Sequence, residues 1–395
     1  MTSGLRAKVE QKSALETALN EFEGLLLEDP FRAAGAWKAA KPDRKVVACF
    51  PVFAPLELAD AAGMLPVGLF GAGGLVELTH ADARFQSFVC SIAKSTLELA
   101  FQKRLDFADG LIFSNICDVA RNLSTVYQRN FPQFLTYYLH YPQGAGPGAE
   151  EFLVSEFSRL KEGLENLAGK KITDTALGES IARYNRLRAH LRDLYAFRSA
   201  RPQDLAAREL YVLLRGATMV PPGDYLKGAS ERLEAISERR NPPRDRLRVL
   251  VEGSFCEQPP LDLVAIIEDA GCYVVEDDFA KGWRWFLKDI SEDGDPLSAL
   301  ARAYVQDSDY SSVRHDARFP RSRRLLKKAR ESGAQAIIFL VAKFCEPGLL
   351  DYAVFKDVLE KEGFPHLFLE FEEKMFTYEK MRNNVETFVE SQLLD

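Results

Sequence analysis

Six cysteines carry most of the potential chemistry of this chain: Cys49, Cys90, Cys117, Cys256, Cys272 and Cys345. Cys49 and Cys272 sit inside apolar runs, where a cysteine acts as a small buried hydrophobe. The other four lie where strands should end or helices should begin, in SFVCS, SNICD, EGSFCEQPP and AKFCEP. None is spaced as a Cys-x-x-Cys pair, so no local zinc knuckle is written here. Cys90, Cys117 and Cys345 form the sharper set. Three thiolates without a close histidine suit an iron–sulfur cubane whose fourth iron is left for another ligand. Such a cluster is anionic, and the positive end of a helix starting near Cys90 would favour it. Spacing alone also allows three structural cysteines, and both readings stand at this point.

Other candidate chemistry is thinner. The five histidines, at 80, 140, 190, 315 and 366, show no ligand spacing. GAGGLVE (71–77) is glycine-rich, but no Lys-Ser or Lys-Thr follows it, so the chain has no P-loop of its own. GAGPGAEE (144–151) reads as a flexible loop, and the basic run RHDARFPRSRR (314–324) as a surface loop. EEKMFTYEKMRNNVETFVE near the C-terminus reads as an amphipathic helix with Met and Phe turned inward. No nucleophile-elbow motif supports a Ser-His-Asp triad.

These residues need a scaffold, and composition bounds it. The chain has 395 residues, 47% hydrophobic and 28% charged, which excludes a disordered or fibrous protein and implies two or three domains. A net charge of −7 argues against a dedicated nucleic-acid binder. Six cysteines are too few for a disulfide scaffold. The N-terminal run is charged throughout, without the apolar core of a signal peptide, so a cytoplasmic protein with no membrane partner is expected.

Residues 5–40 read as helical, from Leu15, Ala18, Leu19, Phe22 and Leu25 at three- and four-residue spacing. Four strand candidates follow: 44–50, 64–70, 109–117 and 131–139, with helical patterns at 91–104 and 119–129 between them. The order then repeats at 246–253, 271–277, 334–345 and 364–372. Cys345 lies 228 residues beyond Cys117, and Phe364-Pro365 lies 233 beyond Phe131-Pro132, a near-constant offset that suggests duplication. Strands alternating with helices imply parallel α/β sheets. The expected organisation is a helical segment (1–43), a first α/β lobe (44–150), a helical connection (151–245) and a second α/β lobe (246–395). Ligands of open parallel sheets bind beyond the carboxyl ends of the strands, where the four cysteines fall.

The runs APLELADAAGMLPVGLFG, ADARFQSFVCS, SNICDVARNLS, VAKFCEPGLLDY and LFLEFEEKMFTYEKMRNNVETFVE resemble the benzoyl-CoA reductase and 2-hydroxyacyl-CoA dehydratase family, from about residue 44 to 395. Within it, EGSFCEQPPLDLVAIIEDAGCYVVEDDF is most similar to the smaller, cluster-bearing C-type subunit of ATP-dependent, class I benzoyl-CoA reductases. The resemblance implies two Rossmann-like, flavodoxin-like α/β/α lobes with four-stranded parallel sheets and a helical part. It implies a [4Fe-4S] cluster between the lobes, held by Cys90, Cys117 and Cys345, either alone or as half of a sulfide-linked double cubane. Ser91, Asn115, Asp118, Arg121, Asn122, Lys343 and Glu346 adjoin these cysteines and are candidates to support the cluster. Each can equally be a helix cap or a surface charge. Cys256 exceeds the three ligands needed.

The implied activity is ferredoxin-driven, ATP-dependent reduction of benzoyl-CoA to cyclohexa-1,5-diene-1-carbonyl-CoA, in anaerobic aromatic degradation. The implied partners are a related cluster-bearing B-type subunit, two ATPase subunits sharing a [4Fe-4S] cluster, ferredoxin and the acyl-CoA. The same resemblance allows a subunit of a 2-hydroxyacyl-CoA dehydratase or of a double-cubane-cluster reductase. A two-lobed small-molecule binder without catalysis is a third reading, in which the cysteines are core.

Overall fold

The computed structural model describes residues 13–51, 53–281, 288–308 and 320–393. Its frame is a pair of four-stranded parallel sheets. The first has the order β2-β1-β3-β4, from β1 (Val46–Cys49), β2 (Leu65–Gly68), β3 (Gly110–Ser114) and β4 (Leu135–Leu139). The second has the order β6-β5-β7-β8, from β5 (Leu247–Glu252), β6 (Cys272–Asp277), β7 (Ala336–Ala342) and β8 (His366–Phe371). All eight strands fall in the runs expected from sequence, and the two sheets share one topology. The chain is therefore an α/β protein of two similar lobes, with the flavodoxin-type strand order. The central strands β1, β3 and β7 are buried along their whole length, which is why they read as unbroken apolar runs.

Helices cover the sheets. In the N-terminal part these are α1 (Ala14–Glu28) and α2 (Arg32–Ala39). The single helical stretch expected over 5–40 is thus divided. Pro30 lacks a backbone donor, and Asp29 turns its carboxylate onto the Phe31 N–H at 3.0 Å, which closes a turn in place of a continuing helix. Residues 5–12 of that stretch lie outside the described residues.

The first lobe carries α3 (Leu56–Ala61), α4 (Thr79–Asp82), α5 (Ser91–Phe101) and α6 (Asp118–Asn130). Between the sheets in sequence come α7 (Ala149–Ala168), α8 (Asp174–Ala200), α9 (Ala207–Gly216), α10 (Pro222–Leu226) and α11 (Ala229–Ser237). The second lobe carries α12 (Leu261–Asp269), α13 (Pro296–Arg302), α14 (Arg321–Glu331), α15 (Glu346–Glu362) and α16 (Glu379–Leu393), with one π-turn at Ala303–Asp307.

Two helices tie the lobes together. α8 has 27 residues and is therefore about 40 Å long. Near its middle, Arg188 pairs with Glu57 of α3 at 2.6 Å, and near its end Arg198 pairs with Asp277 of β6 at 2.7 Å, both pairs buried. α5 is buried from Ile92 to Ala100, including its polar residues Lys94, Ser95, Thr96 and Glu98. One continuous apolar core runs through both lobes and the connecting helices. A smaller one, built on Leu325, Phe339 and Phe355, fills the outer face between β7 and helices α14 and α15.

Two further expectations are corrected. The basic run at 314–324 is not simply a loop: Arg321–Arg324 opens α14, and Arg321 pairs with Asp351 of α15. Residues 314–319 lie outside the described residues. The C-terminal helix starts at Glu379, so Met375 and Phe376 precede it. Met381 is buried on its inner face as expected, but Phe376 is 95% exposed.

Candidate functional site

Three helices begin on a cysteine. Cys90 is the N-cap of α5, Cys117 of α6 and Cys345 of α15. The first two belong to one lobe and the third to the other. Parallel βαβ folding produces this: β3 leads through a short turn into α6, and its counterpart β7 leads into α15. Together with Cys256, from the loop between β5 and α12, these residues line one cavity of about 440 Å³. The four sulfur atoms lie close enough that charge on one opposes charge on another.

The wall of this cavity is apolar for a reason legible in the chain. Each cysteine is preceded by a large apolar residue, namely Val89, Ile116, Phe255 and Phe344, and all four line the cavity. Burial pushes the thiols of Cys90 and Cys256 well above the ordinary thiol range, lifts Cys117, and raises Cys345 to about 12. Four protonated thiols in a dry pocket are poor nucleophiles. A bound cation reverses this, because a coordinated thiol is deprotonated outright.

Backbone donors are already in place for the anionic form. The Ala120 N–H points at the Cys117 sulfur at 3.4 Å. The N–H groups of Ala93 and Gly348 likewise favour thiolate at Cys90 and Cys345. Each is the third residue of its helix, so the same donor recurs three times, backed by three helix dipoles. Gly348 is a glycine for space: a Cβ there would stand 3.3 Å from the Cys345 sulfur and 3.1 Å from Val341. Phe344, next to Cys345, holds a left-handed backbone (φ 64°) that a phenylalanine rarely adopts.

The four thiols are soft donors suited to iron–sulfur or zinc chemistry, and the carboxylates of Asp118, Glu257 and Glu346 line the same cavity. Among the described residues, no three His, Cys, Asp or Glu side chains close on a point as they would around a single ion. The thiols instead flank a volume of about 440 Å³.

The sequence-derived supporting residues separate into groups. Ser91 does not itself line the cavity, but its hydroxyl donates at 2.5 Å to Oε1 of Glu257, which does. Asp118 and Glu346 line the cavity at its edge, and Asp118 pairs with Arg121 at 3.0 Å. Asn115 ties down the turn after β3, exchanging hydrogen bonds with the backbone of Tyr141 at 2.9 and 3.0 Å. Asn122 is exposed and does not line the cavity. Lys343 turns away to Glu372 at 2.7 Å. Cys49 and Cys272 are buried within β1 and β6.

Sequence reading missed Glu257 and Glu373. Both are buried carboxyls beside the thiol pocket, and burial raises them to about 7 and about 8. The available signal was Glu257 itself, a charged residue directly after Cys256 between a strand and an apolar helix. Also missed were three exposed apolar residues that line the cavity, Phe88 (66% exposed), Phe344 and Leu349, and two more exposed on α15, Leu350 (67%) and Val354 (59%).

Comparison with known proteins adds to this geometry. The family described as 2-hydroxyglutaryl-CoA dehydratase, D-component, matches residues 51–392. The chain is similar to the C subunit of benzoyl-CoA reductase from Thauera aromatica, with 37% identity over 93% of this chain and 96% of that one. It is also similar to the beta subunit of lactoyl-CoA dehydratase from Anaerotignum propionicum, 29% identical over 96% and 99% of the two chains. With the beta subunit of (R)-2-hydroxyglutaryl-CoA dehydratase from Acidaminococcus fermentans it shares 27% identity over 96% and 100%.

Proposed function

The chain belongs to the 2-hydroxyglutaryl-CoA dehydratase D-component family, and on that premise we propose that it is the iron–sulfur C-type subunit of an ATP-dependent benzoyl-CoA reductase. It is in any case a subunit of an acyl-CoA reductase or dehydratase. The observation that carries the reading is the meeting of Cys90, Cys117 and Cys345, from two lobes and on three helix N-termini, around one apolar cavity. The choice of reductase rests on 37% identity to a reductase subunit, against 29% and 27% to dehydratase subunits.

In this reading Cys90, Cys117 and Cys345 hold a [4Fe-4S] cluster, and Cys256 stands beside it. The cluster supplies single electrons at low potential, which ring reduction demands. The protein's own part is to bind and tune. Val89, Ile116, Phe255 and Phe344 keep water from the sulfur atoms. The N–H groups of Ala93, Ala120 and Gly348, with the helix dipoles behind them, stabilise negative charge there. Ferredoxin and two ATPase subunits would deliver the electrons, and the related B-type subunit would complete the acyl-CoA site. A partner over the cavity is supported by the exposed apolar residues Phe88, Phe344 and Leu349 on its lining and by Leu350 and Val354 exposed on α15, since clustered exposed apolar side chains ordinarily mark an interface.

The test is anaerobic purification of the complex, with iron and sulfide measured per chain. ATP- and reductant-dependent loss of benzoyl-CoA is expected. A colourless, iron-free complex overturns the cluster. Dehydration of a 2-hydroxyacyl-CoA, with ATP needed only for activation, would instead establish the dehydratase reading that the beta-subunit relatives favour.

A further inference from the structure

A buried helix start needs partners for its free N–H groups, and an N-cap side-chain oxygen normally supplies one. At α5 the N-cap is Cys90, whose sulfur lies near the Ala93 N–H but does not make a full capping hydrogen bond. The missing acceptor comes from the other lobe. Glu257, only 2% exposed, places Oε2 3.0 Å from the Ile92 N–H and Oε1 2.5 Å from the Ser91 hydroxyl. These residues are 165 and 166 positions apart in sequence. The carboxylate thus occupies the first turn of α5, where the helix dipole also favours it.

A second contact follows the same line. The Glu373 N–H, from the loop after β8, approaches the Ser91 hydroxyl at 3.4 Å. Ser91 is therefore gripped from two loops of the second lobe.

Cys117 differs: its own sulfur accepts from Ala120 N–H, so α6 is capped without help from the other lobe. We infer that Glu257 is a positioning residue: by capping α5 across the lobe boundary, it fixes the Cys90 sulfur relative to Cys117 and Cys345. This deepens the cluster reading, because lobe closure and the placement of one thiol of the set become a single variable.

The experiment uses the purified full-length chain, iron-free and reduced. Iodoacetamide modification is followed at each cysteine by peptide mass spectrometry. In Glu257→Ala the Cys90 rate should rise about tenfold, the equivalent of one lost cap. Cys117 and Cys345 should change less than about twofold. Glu257→Gln removes the charge but keeps an acceptor for Ile92 N–H, and should hold the Cys90 rate within about threefold of wild type. Should Glu257→Ala fail to fold, Ser91→Ala removes the other half of the clasp and should raise the Cys90 rate in the same selective way. An unchanged Cys90 rate overturns the inference, as does an equal rise at all three cysteines. A Gln variant as reactive at Cys90 as the Ala variant overturns it too, because charge and not position would then govern. None of these readings needs iron, so failure of the cluster proposal would show separately, as a wild-type chain that takes up none.

Discussion

Cys90, Cys117, Cys256 and Cys345 share one cavity, yet three of them differ from the fourth in a way that should be measurable. Cys256 lies on a loop, without a helix N-terminus behind it. Replacement of Cys90, Cys117 or Cys345 by Ser should each cut iron retention by more than the roughly 10–100-fold typical of changes one shell further out. Cys256→Ser should retain the iron. Iron and acid-labile sulfide per chain, after anaerobic purification, decide this. A second residue-scale expectation concerns His190, buried in α8 against the Tyr225 ring. Burial, and then the Arg232 charge, lowers its pKa from the usual 6.5 to about 4. The folded state therefore prefers neutral histidine. Its contribution to stability is intact above about pH 6.5 and is lost as the pH falls towards 4. His190→Phe should be less sensitive than wild type to a shift from about pH 7 to pH 5, read as the difference in urea midpoints at constant ionic strength.

At the scale of elements, the decisive feature is the repeated strand–turn–cysteine–helix unit. Its third helical residue presents an N–H to sulfur, and in α15 that residue is Gly348. An Ala for Gly exchange inside an ordinary helix gains about 1 kcal/mol. Here the added Cβ would crowd the Cys345 sulfur and Val341. Gly348→Ala should therefore show no such gain by chemical denaturation, and it should bind iron less firmly. α15 itself is two-sided. Phe355 and Leu359 face the core, while Leu350 and Val354 face outward. Leu350→Glu should leave folding within about 0.5 kcal/mol of wild type, as exposed substitutions usually do. It should nonetheless prevent co-purification of the partner subunit, which pull-down of a co-expressed complex would show.

At the scale of the whole molecule, α8 acts as a strut whose buried arginines pin one lobe each. Arg188 serves the first through Glu57, and Arg198 serves the second through Asp277. Asp277 also accepts the Tyr195 hydroxyl at 2.7 Å and the Phe279 N–H at 2.9 Å. Removing one partner of a buried pair strands the other charge, which costs about 3–5 kcal/mol. Arg198→Ala should destabilise the chain by that order, measured by equilibrium denaturation. Exposed pairs such as Lys361–Asp357 should contribute well under 1 kcal/mol.

Much of this architecture was legible before folding. The eight strands, their repetition in two halves and the buried roles of Cys49 and Cys272 follow from local apolar runs and their order, because a strand buried on both faces leaves an uninterrupted signature. Cys90, Cys117, Cys256 and Cys345 stood out because each lies at the junction of two such patterns, and the family resemblance set Cys256 apart from the other three. Local pattern could not show that Glu257 caps a helix more than 160 positions away, that Glu373 lies behind it, or that Lys343 turns from the pocket towards Glu372. Nor could it show that Phe88 and Leu349 line the same cavity. Secondary structure is written in neighbours three or four residues apart. A site between two lobes is written in distances, and only the packing of one lobe against the other sets those.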